Sequence, residues 1–362
     1  MRKIRVLIIE DSAFMRKLIT DLLSEDQQIE VVGFARNGKD GVERIKKYKP
    51  DVVTMDIEMP IMNGLDSLRI IMRECPVPVI MLASSTSQGA ENTLLAMQLG
   101  AFDFIAKPSG SVSLDLHKIK SELKMKIKAA GLTNVDLLQT NIKLSKQEMS
   151  IKPIYSKIEL DEKGVETPGL FKKVEKIIAI GTSTGGPRAL QCVLSKLPAS
   201  IDAPVLIVQH MPAGFTKSLA NRLDHICDIH VKEAEDGETL YKGTAYIAPG
   251  GFHLTVKKVG TILKAVLEKT APVNGHRPSV DILFHSISQL SSYSIIAVIM
   301  TGMGSDGTKG LIDLKNKVDV ISIAESEISS IVFGMPKAAI STNLVDFVEE
   351  VENIAHRIVK YC

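Results

Sequence analysis

The chain has few cysteines, no tryptophan and no long hydrophobic run. Cys75, Cys192, Cys227 and Cys362 are spaced neither as a disulfide framework nor as a zinc site, which favours reduced thiols. No apolar run approaches the roughly 20 residues that a membrane helix needs. The first apolar run stops at Glu10, too early for a secretory signal core. We therefore predict a cytoplasmic protein that does not insert into the membrane.

An excess of charge of one sign is also missing. The 362 residues include 44 Lys and Arg against 42 Asp and Glu, for a net charge of +2, so no nucleic-acid partner is expected. The lysines cluster between residues 117 and 176, which we interpret as a solvated charge run. With 45% hydrophobic residues the composition is that of a globular protein. The length predicts two domains, or three.

Residues 1–128 alternate between short apolar runs and amphipathic segments, and Ser12 is a predicted helix N-cap. The runs lack strict alternation, as is typical of parallel strands that are buried on both faces. This pattern predicts a doubly wound (βα)5 domain. The predicted strands are Ile4–Ile9, Val31–Phe34, Val52–Met55, Val79–Leu82 and Phe102–Ala106.

Residues 129–173 read as an interdomain linker with some helical pieces, because glycine and proline punctuate a polar stretch. Residues 174–362 show a second α/β pattern. Its predicted helices are Pro187–Leu197, Val280–Leu290 and Val345–Tyr361. Its predicted strands are Ile177–Gly181, Val205–Val208, Ile229–Ala234, Ala245–Ala248, His253–Val256, Ile295–Met300 and Val320–Ala324.

Charged side chains end three predicted strands of the first domain. Glu10 and Asp11 follow the first strand, Asp56 ends the third, and Lys107 follows the fifth. Parallel strands bind ligands beyond their carboxyl ends, so these groups should meet there. Each one alone is more often a solvated loop residue, but the set indicates a Mg²⁺ site with Asp56 as nucleophile for a phosphoryl group. Lys107 would pair with the phosphoryl oxygens.

A strand, a glycine-rich turn and a helix start occur at Gly181–Pro187. The turn either holds Ser183 as a nucleophile, or binds an anion at the helix N-terminus, or only packs. It lacks the lysine of a P-loop, and it fits neither the dinucleotide fingerprint nor the G-x-S-x-G turn. His210 and Asp306 also follow predicted strands, although a lone histidine is often structural and such an aspartate often caps a helix.

These three residues would meet at one edge of the second sheet. Ser183 would attack, His210 would move the proton, and Asp306 would orient His210, because triads are defined by geometry rather than by chain order. Backbone N–H groups of a glycine-rich loop are candidates for the oxyanion hole.

Residues 3–125 resemble the response-regulator receiver family. The resemblance implies that Asp56 is the phosphoacceptor and that Lys107 senses the phosphoryl group. The implied Mg²⁺ ligands are Glu10, Asp11, Asp56 and the backbone carbonyl of Glu58.

The resemblance also implies Phe104 as the aromatic switch residue. Receivers usually carry a hydroxyl residue where this chain has Ala83, at the end of the fourth strand. Ser84 takes that role if the strand end shifts by one residue. Otherwise the link between phosphorylation and conformational change is weaker.

Residues 176–361 resemble the catalytic domain of the chemotaxis protein-glutamate methylesterases, the CheB family. The matching stretches are Gly181–Pro187, Gln209–Gly214, Lys232–Glu238, Tyr246–Gly250, His276–Asp281, Thr301–Gly307 and Phe333–Lys337. The two resemblances together imply an N-terminal receiver followed by an α/β, mostly parallel-sheet hydrolase domain.

This second resemblance implies a triad of Ser183, His210 and Asp306, with the Met303 backbone amide in the oxyanion hole. His276, Arg277 and Asp281 lie in a matching motif, but they are not expected to be catalytic, and His276 is expected in a loop or at a helix start.

The implied reaction is hydrolysis of γ-glutamyl methyl esters on chemoreceptor helices with release of methanol, and possible deamidation of receptor glutamines. A chemotaxis histidine kinase would be the phosphodonor, and the esterase would need no cofactor. The unphosphorylated receiver would cover the Ser183 edge. Two other classes stay open: a non-catalytic phospho-dependent adaptor, and a nucleotide-binding output domain that uses Gly181–Gly186.

Overall fold

The structure, a computed structural model, describes residues 2–107, 112–139 and 175–362. Two separate, mainly parallel sheets form the centres of an N-terminal and a C-terminal α/β unit, which confirms the predicted fold class. None of the helices in the described ranges is long and apolar enough to cross a bilayer.

The N-terminal unit is a five-stranded parallel sheet in the order β2-β1-β3-β4-β5. This is a doubly wound topology, in which the chain reverses direction between β1 and β3 and leaves a crevice at the strand ends. Its strands and helices are β1 (Ile4–Ile9), α1 (Ala13–Ser24), β2 (Ile29–Ala35), α2 (Gly38–Tyr48), β3 (Val52–Asp56), α3 (Gly64–Glu74), β4 (Val79–Ala83), α4 (Ser87–Gln98), β5 (Asp103–Ala106) and α5 (Val112–Ala130).

Short polar side chains begin the helices α1 to α4 of this unit. Ser12, as predicted, caps α1 by accepting from the amide of Met15, and Asn63 caps α3 by accepting from Asp66. Such caps satisfy amides that have no partner inside the helix. Gly64, the first residue of α3, has no room for a side chain, because a Cβ there would lie 2.2 Å from the carbonyl oxygen of Asp56. The Asn-Gly pair therefore lets α3 start directly against the end of β3.

The predicted boundary at residue 128 falls inside α5, which ends at Ala130. A short helix, α6, follows at residues 135–139. Its Leu138 is fully buried, and Gln139 Nε2 donates to the carbonyl of Met72 at 2.7 Å. Residues 140–173 of the predicted linker, and Pro108, lie outside the described residues. The extent of the linker therefore stays a prediction.

The C-terminal unit has a seven-stranded parallel sheet, β14-β13-β12-β6-β7-β9-β8, and an antiparallel hairpin of β10 and β11. Its elements are β6 (Glu175–Thr182), α7 (Gly186–Leu194), β7 (Val205–Gln209), α8 (Phe215–Asp224), β8 (His230–Glu233), β9 (Thr244–Ile247), β10 (His253–Val259), β11 (Ile262–Glu268), α9 (Val280–Ile287), β12 (Tyr293–Ile299), α10 (Thr308–Lys317), β13 (Asp319–Glu325), α11 (Met335–Ile340), β14 (Phe347–Glu349) and α12 (Val351–Tyr361).

Every strand predicted in this half is present, but two more strands were missed. β11 was missed because its sequence is partly polar and it pairs with β10 in a hairpin outside the main sheet. The helix predicted over Val345–Tyr361 was wrong in its first turn, since residues 347–349 pair with β13 as β14 and α12 begins at Val351. Pairing across the sheet overrides the helical periodicity there.

Candidate active site and acidic pocket

Ser183 follows the last residue of β6, at the carboxyl edge of the sheet. Its amide donates to the carbonyl of Thr301 at 3.0 Å, and its carbonyl accepts from the amide of Gly186. Both backbone polar groups of Ser183 are therefore held by hydrogen bonds. Only 8% of Ser183 is exposed. Gly302 makes this arrangement possible, because a Cβ at that position would lie 2.7 Å from the Cβ of Ser183.

His210 follows β7, the strand next to β6. Thr182 pairs with Gln209 in the sheet register, and the amide of His210 donates to the carbonyl of Thr182 at 3.1 Å. The Gln209 side chain holds the two strand ends together. It accepts from Thr182 Oγ1 at 2.6 Å and donates to the carbonyl of Ser183 at 2.9 Å. His210 and Ser183 therefore leave adjacent strands at the same level.

Asp306 is a buried acceptor with four donors. Oδ2 binds His210 Nε2 at 2.8 Å and the amide of Val280 at 2.7 Å, while Oδ1 accepts from Ser279 Oγ at 2.8 Å and from the amide of Asp281 at 3.1 Å. Burial by itself would raise the pKa of Asp306, but the bonds from His210, then from Val280 and Ser279, hold that pKa well below the usual range. The carboxylate is therefore ionised at neutral pH.

The alternative role of Asp306 as a helix N-cap is not seen, because Gly307 occupies that position of α10. An ionised carboxylate only accepts hydrogen bonds, so His210 Nε2 carries the proton and Nδ1 has the free lone pair. Nδ1 of His210 is buried and has no hydrogen-bond partner within the described residues. In particular, it forms no hydrogen bond with Ser183 Oγ. The structure thus joins His210 to Asp306 and puts Ser183 beside them without a closed hydrogen bond.

His276 lies flat against His210. The ring centroids are 3.8 Å apart and the planes differ by 5°. Burial, together with the charge of His210, lowers the pKa of His276 to about 4, so this ring is neutral at pH 7. His276 pairs with Val273 across a tight turn. It therefore lies in a loop, which is one of the two positions expected from the sequence, and not at a helix start.

Asp281 holds the loop that carries Asp306. Its Oδ1 accepts from the amides of Gly307 at 2.9 Å and Gly310 at 2.8 Å, and burial raises its pKa. Arg277, which belongs to the same motif, donates to the carbonyl of Thr270, and within the described residues it forms no hydrogen bond with Ser183, His210 or Asp306. Met303 follows Gly302, the residue that packs on Ser183.

The second group of functional residues lies in the N-terminal unit. Glu10, Asp11 and Asp56 each offer a carboxylate oxygen, and these atoms lie within 4.8 Å of one another. Lys107 Nζ contacts Asp56 Oδ2 at 2.7 Å and Glu10 Oε2 at 3.0 Å. The sheet therefore brings together the four side chains that the sequence pattern predicted.

The charges in this pocket shift one another. Burial and then the negative charge of Asp56 raise the pKa of Glu10. Burial alone would lower the pKa of Lys107, but its contacts with Asp56 and Glu10 raise it. An open cleft beside the pocket is lined by Asp11, Glu58, Asn63 and Asn92 among others, and the amide of Glu58 donates to Asp56 Oδ1 at 3.3 Å. Oxygen donors of this kind suit Mg²⁺.

Family models match both units. The model for the CheB methylesterase matches residues 178–358, and that for the response regulator receiver domain matches residues 6–117. The chain is 54% identical over 360 residues to a "Protein-glutamate methylesterase/protein-glutamine glutaminase" of Halalkalibacterium halodurans, with 99% of each chain covered.

The chain belongs to the CheB methylesterase family. A protein of the same name from Bacillus subtilis is 50% identical over 355 residues, covering 98% of this chain and 97% of the relative. The solved CheB methylesterase catalytic domain of Thermotoga maritima is 44% identical, with a TM-score of 0.50, and covers 52% of this chain and 98% of its own.

The receiver of this CheB family member ends β4 at Ala83, which is fully buried and pairs with Ala106. Ser84 comes immediately after the strand. Its Oγ lies 3.1 Å from Oγ1 of Thr86, the residue that caps α4 by accepting from the amide of Gly89. The hydroxyl of the first residue after β4 therefore contacts the N-cap residue of α4.

The receiver packs on the catalytic unit through α4 and β5. α4 contacts α7 and α8. Phe104 of β5 stacks on Phe215 of α8, with centroids 4.7 Å apart and planes at 22°. Thr184 Oγ1 donates to Asp103 Oδ2 at 2.5 Å. The residue next to Ser183 is thus hydrogen-bonded to the receiver.

Arg188 is buried in this interface. Its guanidinium donates to the carbonyl of Met97 and, at 3.0 Å, to that of Ala101, both on the receiver. Burial lowers the pKa of Arg188 to about 10. No pattern in the sequence pointed to Arg188 or Thr184, because both are recognised only by their contacts with the receiver.

Proposed function

We propose that this chain is a phosphorylation-regulated chemotaxis enzyme that hydrolyses glutamate γ-methyl esters on chemoreceptors and thereby serves sensory adaptation. The observation that carries the proposal is the hydrogen-bonded pair of His210 and Asp306 beside the turn that holds Ser183. The names of the relatives agree with this activity.

The proposed chemistry is acyl transfer through a serine ester. Ser183 Oγ attacks the ester carbonyl while His210 takes its proton, and His210 returns that proton to the departing methoxide, so that methanol leaves. Water, activated by His210, then hydrolyses the acyl-enzyme, which regenerates the Ser183 hydroxyl and leaves a glutamate carboxylate on the receptor. The Asp306 carboxylate keeps the Nε2–H tautomer of His210 and stabilises the imidazolium. The backbone amide of Met303 is the candidate donor to the oxyanion.

The same acyl-enzyme can form from a glutamine side chain. Attack of Ser183 on the carboxamide with protonation of the leaving nitrogen releases ammonia, and the second half of the reaction is unchanged. The relatives are named for both activities. We therefore extend the proposal to deamidation of receptor glutamines.

In the receiver, Asp56 is proposed to accept the phosphoryl group from a chemotaxis histidine kinase. Three carboxylates this close repel one another, and only one ammonium, that of Lys107, faces them at 4 Å or less in the described chain, so the donor set fits a divalent cation. Glu10, Asp11, Asp56 and the carbonyl of Glu58 would hold Mg²⁺, which supplies charge neutralisation when bound. Lys107 would move from Asp56 to the phosphoryl oxygens.

Regulation is proposed to act through the packing of the receiver on the Ser183 turn. A phosphoryl group on Asp56 that draws the hydroxyl of Ser84 would break its contact with Thr86, the cap of α4. α4 and Phe104 both contact the catalytic unit, so a change in either one weakens the same interface. Release of that interface would open the Ser183 edge to methylated receptor helices.

The test is methanol release from methylated chemoreceptor membranes, with wild type and Ser183→Ala, each with and without a small phosphodonor and Mg²⁺. We expect release that needs Ser183, falling at least about 10³-fold without it, and that rises with phosphodonor. Ser183-dependent release that does not change with the phosphodonor would support the esterase activity and contradict the proposed regulation. No release from authentic methylated receptors would instead support an adaptor that binds receptors without hydrolysing them.

A further inference from the structure

The buried carboxyl group of Glu325, which is outside the proposed triad, contacts the start of the loop that carries Asp306. Glu325 is the last residue of β13 and only 1% of it is exposed. Its Oε2 accepts from the amide of Thr301 at 2.7 Å, and its Oε1 accepts from Ser329 Oγ at 2.9 Å. Within the described residues no cationic side chain forms an ion pair with it. A buried acidic group held only by neutral donors is costly, which suggests a role beyond packing.

Thr301 connects Glu325 to the nucleophile turn. The carbonyl of Thr301 accepts from the amide of Ser183 at 3.0 Å, and its hydroxyl donates to the carbonyl of Thr184 at 2.9 Å. The same hydroxyl accepts from the amide of Val332 at 3.0 Å. Every polar group of Thr301 is therefore used, and its amide depends on Glu325.

We propose that Glu325 is a positioning residue that fixes Ser183 through Thr301, and that the charge on its carboxyl tunes the reactivity of that serine. Displacement of Thr301 would move the carbonyl to which the Ser183 amide is bonded, along with Gly302, which packs on the serine. Small displacements of a nucleophile cost rate because attack requires alignment. The inference rests on the proposed esterase function.

The surroundings of Glu325 support a change of charge near neutral pH. Burial raises the pKa of its carboxyl to about 7, against the opposing hydrogen bonds from Thr301 and Ser329, and the negative charge of Glu352 on α12 adds to the rise. Cys192 of α7 and Lys196, which follows that helix, face the same region, and Lys196 Nζ donates to the carbonyl of Glu352. An ionised Glu325 gives Thr301 a charge-assisted bond, whereas the protonated form gives a weaker one.

Three variants separate these effects. Glu325→Gln keeps an oxygen for the Thr301 amide but cannot titrate, whereas Glu325→Val leaves that buried amide without an acceptor. Glu327→Gln is the matched control, because Glu327 is an exposed carboxyl close by in the chain that does not bond Thr301 and is not among the charges that raise the pKa of Glu325.

The measurement is the rate at which a fluorophosphonate labels Ser183 in the full chain, with Ser183→Ala as blank, beside kcat and KM for methanol release. Glu325→Val should label at least about 10-fold more slowly, with kcat lowered and KM unchanged, as expected for loss of one buried bond. Glu325→Gln should restore the rate at pH 7 to within about threefold.

The ratio of the wild-type rate to the Glu325→Gln rate should rise at least about twofold between pH 6 and pH 8. The ratio of the wild-type rate to the Glu327→Gln rate should stay constant. A folded Glu325→Val that labels as fast as wild type overturns the inference; if that variant does not fold, a constant wild-type to Glu325→Gln ratio overturns it. Failure of the proposed function looks different, because wild type itself would then show no Ser183-dependent labelling or methanol release.

Discussion

Thr184 and Asp103 are joined by a hydrogen bond of 2.5 Å between Oγ1 and Oδ2, which ties the residue after Ser183 to the receiver strand β5. Asp103 precedes Phe104, whose ring stacks on Phe215 of the catalytic unit. Two adjacent residues of β5 therefore contact the turn that holds Ser183 and the helix α8.

The buried guanidinium of Arg188 is the first target. Arg188→Met removes both donors to the carbonyls of Met97 and Ala101, so the receiver should hold the catalytic unit less tightly. We expect basal methanol release to rise several-fold and the further stimulation by phosphodonor to shrink. The control is Arg357→Met, which breaks an ion pair with Glu349 inside the catalytic unit. Equal behaviour of the two variants would argue against a regulatory interface here.

The Asp306 carboxylate should be needed for rate and for stability above acid pH. Asp306→Asn removes the charge that selects the His210 tautomer, and we expect kcat to fall about 10⁴-fold. Because the folded pKa of Asp306 is lowered, its stabilising contribution is present above the ordinary carboxyl range and is lost as the pH falls through it.

The melting temperatures of wild type and Asp306→Asn, compared from pH 7 down to pH 3, check the second part. Their difference should narrow on acidification. A matched control is Asp313→Asn, since Asp313 binds His285 at 2.6 Å in a similar but exposed pair. If Asp313→Asn lost as much activity, the loss would not report on the triad.

Ser84 should matter for activation. Ser84→Ala removes the hydroxyl that a phosphoryl group on Asp56 would draw, and we expect phosphodonor stimulation of methanol release to fall several-fold. The same change removes the contact with Thr86, so unstimulated release should not fall below that of wild type. Ser85→Ala, an exposed neighbour, is the control. Full stimulation in Ser84→Ala would show that the switch in this receiver works without a hydroxyl at the strand end.

Glu325 should make stability fall as the pH rises. Its folded pKa of about 7 lies above the ordinary 4.5, so its protonated form is favoured in the folded state and stability is lost between those values. Glu325→Gln should therefore be more stable than wild type at pH 8, by on the order of 3 kcal/mol, and no more stable at pH 4. Calorimetric melting of the catalytic unit at each pH checks this. A stability gain that is the same at both pH values would contradict it.

The elements that carry the site were predictable because their signals are local. The strands before Asp56, Ser183 and His210 are short apolar runs followed by a polar residue, and parallel strands bring such ends together whatever their order in the sheet. The helix predicted from Val345 failed because β14 forms only by pairing with a strand elsewhere in the chain.

Glu325 and Asp281 were given no functional role from the sequence, for two different reasons. Glu325 ends an apolar strand, the same signal that pointed to Asp56, and applying that rule to β13 would have found it. Asp281 is an ordinary first-turn residue of α9 until its contacts with the amides of Gly307 and Gly310 are seen.

The amino-acid sequence by itself determined the two α/β units and the side chains at their strand ends, because hydrophobic periodicity and turn chemistry act over a few residues. Only the tertiary structure decided which groups touch across the chain: His276 on His210, Glu325 on Thr301, and the receiver on Thr184. Those contacts depend on the order of strands in the sheet and on the docking of two separate cores. Both result from packing between residues far apart in the chain, which local patterns do not encode.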